Sequence, residues 1–411
     1  MLKMAVCAAA QLVLSIGLAH AASETVIHNF EQFPDGEAPQ AGLIQDKNGN
    51  LYGTTTDGGA YYFGDVYELS PNGSGGFTFN VLYSFEGSYD GVYPSAPLTM
   101  DAQGNLYGTA IFGGEFSRGT VFELSPSGNG TWTLSHYFDF RGDRDGGGPA
   151  TAVTLDKTGH IFGTTSLYGA GGGGTVFEIT PSPAGWAQKV IHEFKKVRDG
   201  AAPHGGLLMD ASGDLYGTAP EGGRPNKHSG ISGGGVVYRL HFDGTRWQES
   251  ILHDFNHPAE GSTPAGDLTM DSAGNLYGTT TLSTYGTVFK LSPPANGARD
   301  SVGWQLQTLY KFVGGKSGGN PNGGVSFDSS GALYGIATSG GDSQACQNGC
   351  GLVYKLVNKA GTWSQTVLHR FNVHDGETPL GDVLIGADGA LYGTTYAGGS
   401  RGCGVVYSVV P

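Results

Sequence analysis

The sequence predicts an all-β fold: a seven-bladed β-propeller of four-stranded blades, closed three-plus-one by the N-terminal strand. Three observations predict it. The word "LYGT" and its variants occur seven times, with glycines at Gly53, Gly108, Gly163, Gly217, Gly278, Gly335 and Gly393, spaced 55, 55, 54, 61, 57 and 58 residues apart. Each copy sits among short segments of alternating apolar residues separated by turn residues, the pattern of a small sheet used repeatedly. Finally, the last copy lacks its fourth segment, while an orphan fourth segment, "VIHNF" at 26–30, stands near the start of the chain.

Taken in chain order, the first residues read as a secretory signal over 1–22. Lys3 supplies a positive start, "VCAAAQLVLSIGLA" an apolar core, and Ala19-His20-Ala21 a small-x-small cleavage site. The mature chain is expected to begin near Ala22 or Ser23, and Cys7 leaves with the leader. One propeller domain then covers 23–411, with repeats near 41–85, 96–140, 151–194, 205–255, 266–312, 323–371 and 381–411, the last completed by 24–30.

Within each repeat the first strand is an apolar word such as "GLIQD" or "PLTMD". A turn follows that begins with Asp and has Gly near its end, which calls for one residue at positive φ. Gly386 replaces the Asp in the last copy. The second strand is the "LYGT" word itself. Its glycine should weaken a strand unless another group approaches closely there. The third strand ("GTVFELSP" and relatives) carries an aromatic in every copy: Tyr67, Phe122, Phe177, Tyr238, Phe289, Tyr354 and Tyr407. That ring is expected to cover the glycine of the second strand. Five fourth strands open with Trp132, Trp186, Trp247, Trp304 and Trp363 and close with words such as "VLYSF". Letting one terminus complete the blade begun by the other removes a sheet edge.

Composition narrows the function. The 411 residues hold 22 Lys+Arg against 36 Asp+Glu, a net charge of −14 with no basic cluster, which argues against a nucleic-acid groove. With 73 glycines the chain is turn-dense, but 11% aromatic residues argue against disorder. No apolar run after the leader is long enough to span a membrane, so a soluble monomer is expected.

The tandem "LYGTT…GG…GTVFELSP…W…LYSF…DG…P" resembles the Gloeobacter/Verrucomicrobia (GloVer) repeat of secreted bacterial proteins, over essentially the whole mature chain. The resemblance implies a bacterial surface or extracellular protein. It implies no particular reaction and no catalytic residues. Members carry one of several C-terminal anchors, and none is read in this chain.

In a ring of such blades, the links from fourth to first strands and the loops between second and third strands share one face, the expected functional face. The links carry Asp35, Asp90, Asp145, Asp199, Glu260, Ser317 and Asp375, mostly followed by Gly. They read as turn residues, with a ring of calcium ligands as the alternative. No other cofactor and no fixed metal site is nominated. His28, His192, His253 and His369 share one fourth-strand position with Tyr83, Phe138 and Tyr310. They lie on different blades, do not converge on one metal, and read as flat, partly buried rings.

The loops between second and third strands break the symmetry. They offer Tyr61, Tyr62, Phe63, Phe112, Phe116, Arg118, Tyr168 and Tyr285, and the longest collects Arg224, Lys227 and His228. Aromatics interleaved with polar groups suit stacking on sugar rings or grasping a partner chain. Cys346 and Cys350, in "CQNGC", are close enough for a small disulfide, leaving Cys403 odd. No catalytic constellation emerges. The expected function is a secreted, non-catalytic binding or adhesion module for a polysaccharide or surface protein. The alternative is an extracellular hydrolase or lyase with carboxylates or His228 at the channel mouth.

Overall fold

Each "LYGT" glycine lies directly opposite the third-strand aromatic of its own sheet, and that pairing organises the fold. The computed structural model describes residues 22–87, 89–182, 185–196, 198–224, 233–295 and 303–411. Seven antiparallel sheets form the ring. In blade 1 the strands are Ile44–Gln45, Leu51–Thr55, Asp65–Pro71 and Phe77–Ser84. Blades 2 to 6 repeat this order. In blade 7, Leu384–Ile385, Leu391–Ala397 and Val405–Val410 are completed by Ser23–Asn29, which pairs antiparallel with Val405–Val410. Glu377–Pro379 adds a short fifth segment to that sheet. Helix is confined, among the described residues, to Gln32–Asp35 and the single turn Gly315–Ser317.

The glycine position is filled by the facing ring. A Cβ on Gly53 would lie 2.4 Å from the Tyr67 hydroxyl, and one on Gly163 would lie 2.5 Å from Cζ of Phe177. The same ring receives the closing phenylalanine of the preceding blade edge-on. The seven pairs run from Phe30–Tyr67 through Phe371–Tyr407, with centroids 4.9–5.3 Å apart. Aromatic pairs favour this geometry because a positive ring edge meets a negative face.

The apolar interior is accordingly distributed over the joints between blades. Tyr52, Val66 and Phe85 of blade 1 pack with Leu98, Leu106, Phe122 and Leu124 of blade 2, and six similar clusters occupy the other joints. Burying one such large side chain, aromatic or aliphatic, contributes about 1.5–3 kcal/mol, so the rings and the Val, Leu and Ile side chains of a joint hold it together.

Polar devices repeat as well. In each link a residue at positive φ precedes a proline: Ala38, Tyr93, Gly148, Ala202, Thr263, Asn320 and Thr378, with φ between 52° and 63°. Its backbone N–H donates to the preceding blade, as Tyr93 does to the Phe63 carbonyl (3.1 Å) and Ala38 to that of Cys403 (2.9 Å). The proline then lies on the glycine that begins the preceding third strand, as Pro94 does on Gly64 and Pro39 on Gly404. Only a residue without a Cβ leaves room for that ring.

The first strands are two residues long, shorter than their five-residue words. Near the axis these segments bond to neighbouring blades instead. Thr54 Oγ1 donates to the Ala96 carbonyl, Thr109 to Thr151, Thr279 to Gly323 and Thr394 to Ala41. On the opposite face the Asp turns form as expected, with the late glycines, Gly49 to Gly389, at φ 79–89°. Asp46 accepts the N–H groups of Asn48 and Asn50, and in the seventh copy Asp388 accepts the Tyr392 hydroxyl in place of the missing aspartate.

Candidate functional site

The residue after each link proline points toward the axis, so seven equivalent positions frame one mouth of the central channel. They are Gln40, Ser95, Ala150, His204, Ala265, Asn322 and Leu380, and they line a cavity of about 300 Å³. Four are polar and three apolar, so the mouth lacks the symmetry of the ring around it. Two residues deeper, the equivalent positions hold Gly42, Pro97, Ala152, Gly206, Asp267, Gly324 and Asp382. Blades 5 and 7 thus each place a carboxylate where the others have Gly, Pro or Ala.

Both carboxylates are anchored to a neighbouring blade. Asp267 accepts the Gly206 N–H and Asp382 the Gly324 N–H, each at 2.6 Å. Blade 6 lies between them with two glycines. A Cβ on Gly323 would sit 2.7 Å from Asp382 Oδ1, and one on Gly324 would sit 2.5 Å from the Asp267 carbonyl. Burial raises both pKa values, and the Asp267 charge adds to the rise at Asp382, which is pushed up to about 7 despite the Gly324 hydrogen bond. Near neutral pH this pair is therefore able both to donate and to accept a proton. The sequence signal that reveals it is an Asp preceding the apolar word, in "DLTMD" and "DVLIG", where the other copies carry small residues.

The loops named from sequence surround this mouth on the same face. Tyr61, Tyr62, Phe112, Phe116 and Tyr285 are all exposed. Leu167, Leu282 and Tyr396 extend the exposed apolar rim. Phe112, Leu167 and Leu282 are equivalent positions, each in an isolated bridge to its own link. Others in the set also pack within the fold. Phe63 covers Gly87, Tyr285 lies against Gly314 and Gly319, and Tyr168 lies against Gly147. The Arg118 guanidinium stands 5.0 Å over the Tyr168 ring, and that of Arg141 stands 5.1 Å over Phe116. Arg224 is set apart on blade 4, its N–H donating to Asp254. Lys227 and His228 lie outside the described residues.

The acidic residues of the links and the recurring fourth-strand rings are parts of one device. The Tyr83 hydroxyl donates to Asp90 (2.8 Å), His28 pairs with Asp35 (2.7 Å), His253 with Glu260 (3.4 Å) and His369 with Asp375 (3.3 Å). Asp35, Asp90, Asp145, Asp199 and Asp375 also accept a backbone N–H of their own turn, from Glu86 to Asp90 and from Lys195 to Asp199 for example. They hold their turns, as the turn reading expects, and none of them lines the mouth. Cys346 and Cys350 form a disulfide, and Cys403 is free.

Residues 15–227, 128–300 and 283–411 match the Gloeobacter/Verrucomicrobia repeat, and the chain belongs to that family. No curated protein matches the sequence. Among solved structures it is similar to virginiamycin B lyase from Staphylococcus aureus (TM-score 0.56, 11% identity, covering 95% of this chain and 99% of that one). It is also similar to a protein from Lactobacillus plantarum (TM-score 0.52, 13% identity, covering 84% and 88%). A gluconolactonase from Xanthomonas campestris aligns more loosely (TM-score 0.43, 15% identity, covering 84% and 89%). At such identities the likeness is one of fold. No helix among the described residues is long and apolar enough to cross a membrane.

Proposed function

We propose that this member of the Gloeobacter/Verrucomicrobia repeat family is an exported binding module for a polysaccharide, taking a sugar unit at the channel mouth and the flanking chain on the aromatic rim. The observation that carries the reading is that the asymmetric polar mouth and the exposed aromatics occupy the same face. A cavity of about 300 Å³ is at the small end of ligand pockets, which run from roughly 300 to 1,000 Å³. Asp267, Asp382, Gln40, His204 and Asn322 offer hydrogen bonds to hydroxyl groups, and Tyr61, Tyr62 and Phe112 offer flat surfaces to sugar rings. Export is supported by the leader pattern at 1–22 and by the Cys346–Cys350 disulfide, which suits an oxidising compartment.

Retention of the mature chain on immobilised polysaccharides tests the proposal. The parent is expected to be held by a subset of matrices. Tyr61→Ala/Tyr62→Ala and Asp267→Asn/Asp382→Asn are each expected to lose at least tenfold in affinity. Equal retention of parent and variants would sink the reading. The raised pKa of Asp382 favours one second reading, a hydrolase or lyase using that carboxyl as general acid. Polymer cleavage that Asp382→Asn abolishes would establish it.

A further inference from the structure

The joints between fourth strands hold a second chemistry, remote from the channel. Four residues before the shared His/Tyr/Phe position, each fourth strand presents a side chain to the ring of the preceding blade. In five joints that side chain is neutral, with Leu134 and Leu306 in two of them. Phe79 stacks on His28 with centroids 4.0 Å apart, Gln365 accepts the Tyr310 hydroxyl (2.9 Å), and Gln188 donates to the Asp145 carbonyl. In two joints the residue is a glutamate. Glu249 of blade 4 meets His192 and Asp199 of blade 3, and Glu24 of the closing strand meets His369 and Asp375 of blade 6.

We infer that each of these two clusters is a binding site for a divalent transition-metal ion of the zinc type, bridging blades 3 and 4 and blades 6 and 7. In each triad one imidazole nitrogen and two carboxylate oxygens lie within 4.8 Å of one another. His192 Nε2 is 3.4 Å from Glu249 Oε1 and 4.0 Å from Asp199 Oδ2, and His369 Nε2 is 3.3 Å from Asp375 Oδ2. Two ligands of a tetrahedral zinc, each about 2.1 Å from the ion, lie roughly 3.4 Å apart. Nε2 of His192 and of His369 and Oε1 of Glu249 and of Glu24 are buried, and their close contacts with the acidic or imidazole neighbour lack hydrogen-bond geometry. Buried polar atoms are normally paired, and a cation supplies the partner to all of them at once. One His, two carboxylates and open positions for water suit a borderline ion, whereas calcium favours a shell of oxygens alone.

The symmetry supplies internal controls. The His28–Asp35 and His253–Glu260 pairs have the first two ligands, but Phe79 and Leu306 stand where the third would be. The glutamate occurs only opposite a histidine that already has an acidic partner. At blades 6 and 7 the ion would tie the N-terminal closing strand to the neighbouring blade.

Zinc titration of the mature chain, first stripped with a chelator, tests the inference, read by calorimetry and by melting temperature. The parent is expected to bind two equivalents and to melt higher with zinc than without. Glu249→Gln and Glu24→Gln are each expected to bind one equivalent, and the double variant none, with its zinc-dependent shift lost. These variants keep the fold intact because Gln188 and Gln365 already occupy the same position elsewhere. His253→Gln is expected to retain both equivalents. A parent that binds no zinc, or a double variant that still binds two equivalents, overturns the inference. Indifference to one glutamate alone overturns it for that joint.

Discussion

Gly108 and Phe122 face each other across the second and third strands of blade 2 so closely that a Cβ on the glycine would lie 2.4 Å from the ring Cζ. The ring has no free direction, because Phe85 of blade 1 meets it at a centroid distance of 5.2 Å. Gly108→Ala is therefore expected to destabilise the protein by about 1–3 kcal/mol, the usual range for overpacking. Adding Phe122→Leu should recover part of that loss. Thermal melts of the two variants and the parent check it, and an unchanged melting temperature for Gly108→Ala would contradict the packing described above.

Four tyrosines and three phenylalanines share the slot over the glycine, and three of the tyrosines carry a penalty. The hydroxyls of Tyr67, Tyr238 and Tyr354 are buried without a hydrogen-bond partner. An unsatisfied buried polar group costs about 1–3 kcal/mol. Tyr354→Phe should leave stability unchanged or raise it by about 1 kcal/mol, and Phe already fills this slot in blades 2, 3 and 5. A clear fall in melting temperature would show that the hydroxyl has a partner.

The channel carboxylates set a pH dependence. An unfolded aspartate titrates near 3.9, whereas burial and the Asp267 charge push Asp382 up to about 7. Between those values the folded chain keeps a proton that the unfolded chain releases. The stability linked to this group is thus complete below about pH 4 and declines as pH rises to about 7. Asp382→Asn keeps an acceptor for the Gly324 N–H and removes the titration. It should match the parent at pH 4 and exceed it at pH 8 by about 2–4 kcal/mol. Parallel pH series of thermal melts would refute this if the two curves run level.

The hairpin turns have the opposite sign. Burial opposes ionisation of Asp328, but hydrogen bonds from Ser330, Ala332 and Tyr334 win and hold it at about 2. Its contribution is present above about pH 4 and fades as pH falls toward 2. Asp328→Asn should lower stability at pH 7, by well under what the full shift would give because water screens this exposed turn, and by little at pH 2, measured by denaturant titration at both values.

Much of the architecture was legible because symmetry writes the same instruction seven times. The glycine of "LYGT", the third-strand ring and the orphan strand at 26–30 each named a contact that the structure contains. The links were half legible. Their Asp-Gly-x-Pro words announced turns, but nothing local shows that Ala38 or Tyr93 takes a positive φ to bond backward to the preceding blade. The channel mouth was named as a place, but the residues that line it were not read. Asp267 and Asp382 are 115 residues apart in sequence, and only ring geometry sets them on either side of blade 6. The histidines were seen singly, since the glutamate completing each triad belongs to a different strand word. Symmetry made the scaffold readable and hid the departures from it.

The closing pair gives the ring a seam. The other six blades are each made from one continuous stretch of chain, whereas blade 7 takes its outer strand, Ser23–Asn29, from the far end of the repeat array. Pairings so distant along the chain form slowly, and the unfinished edges are sticky meanwhile. Until Ser23–Asn29 docks, Val405–Val410 keeps an unpaired edge, so this seam is where the ring is most open to a wrong partner.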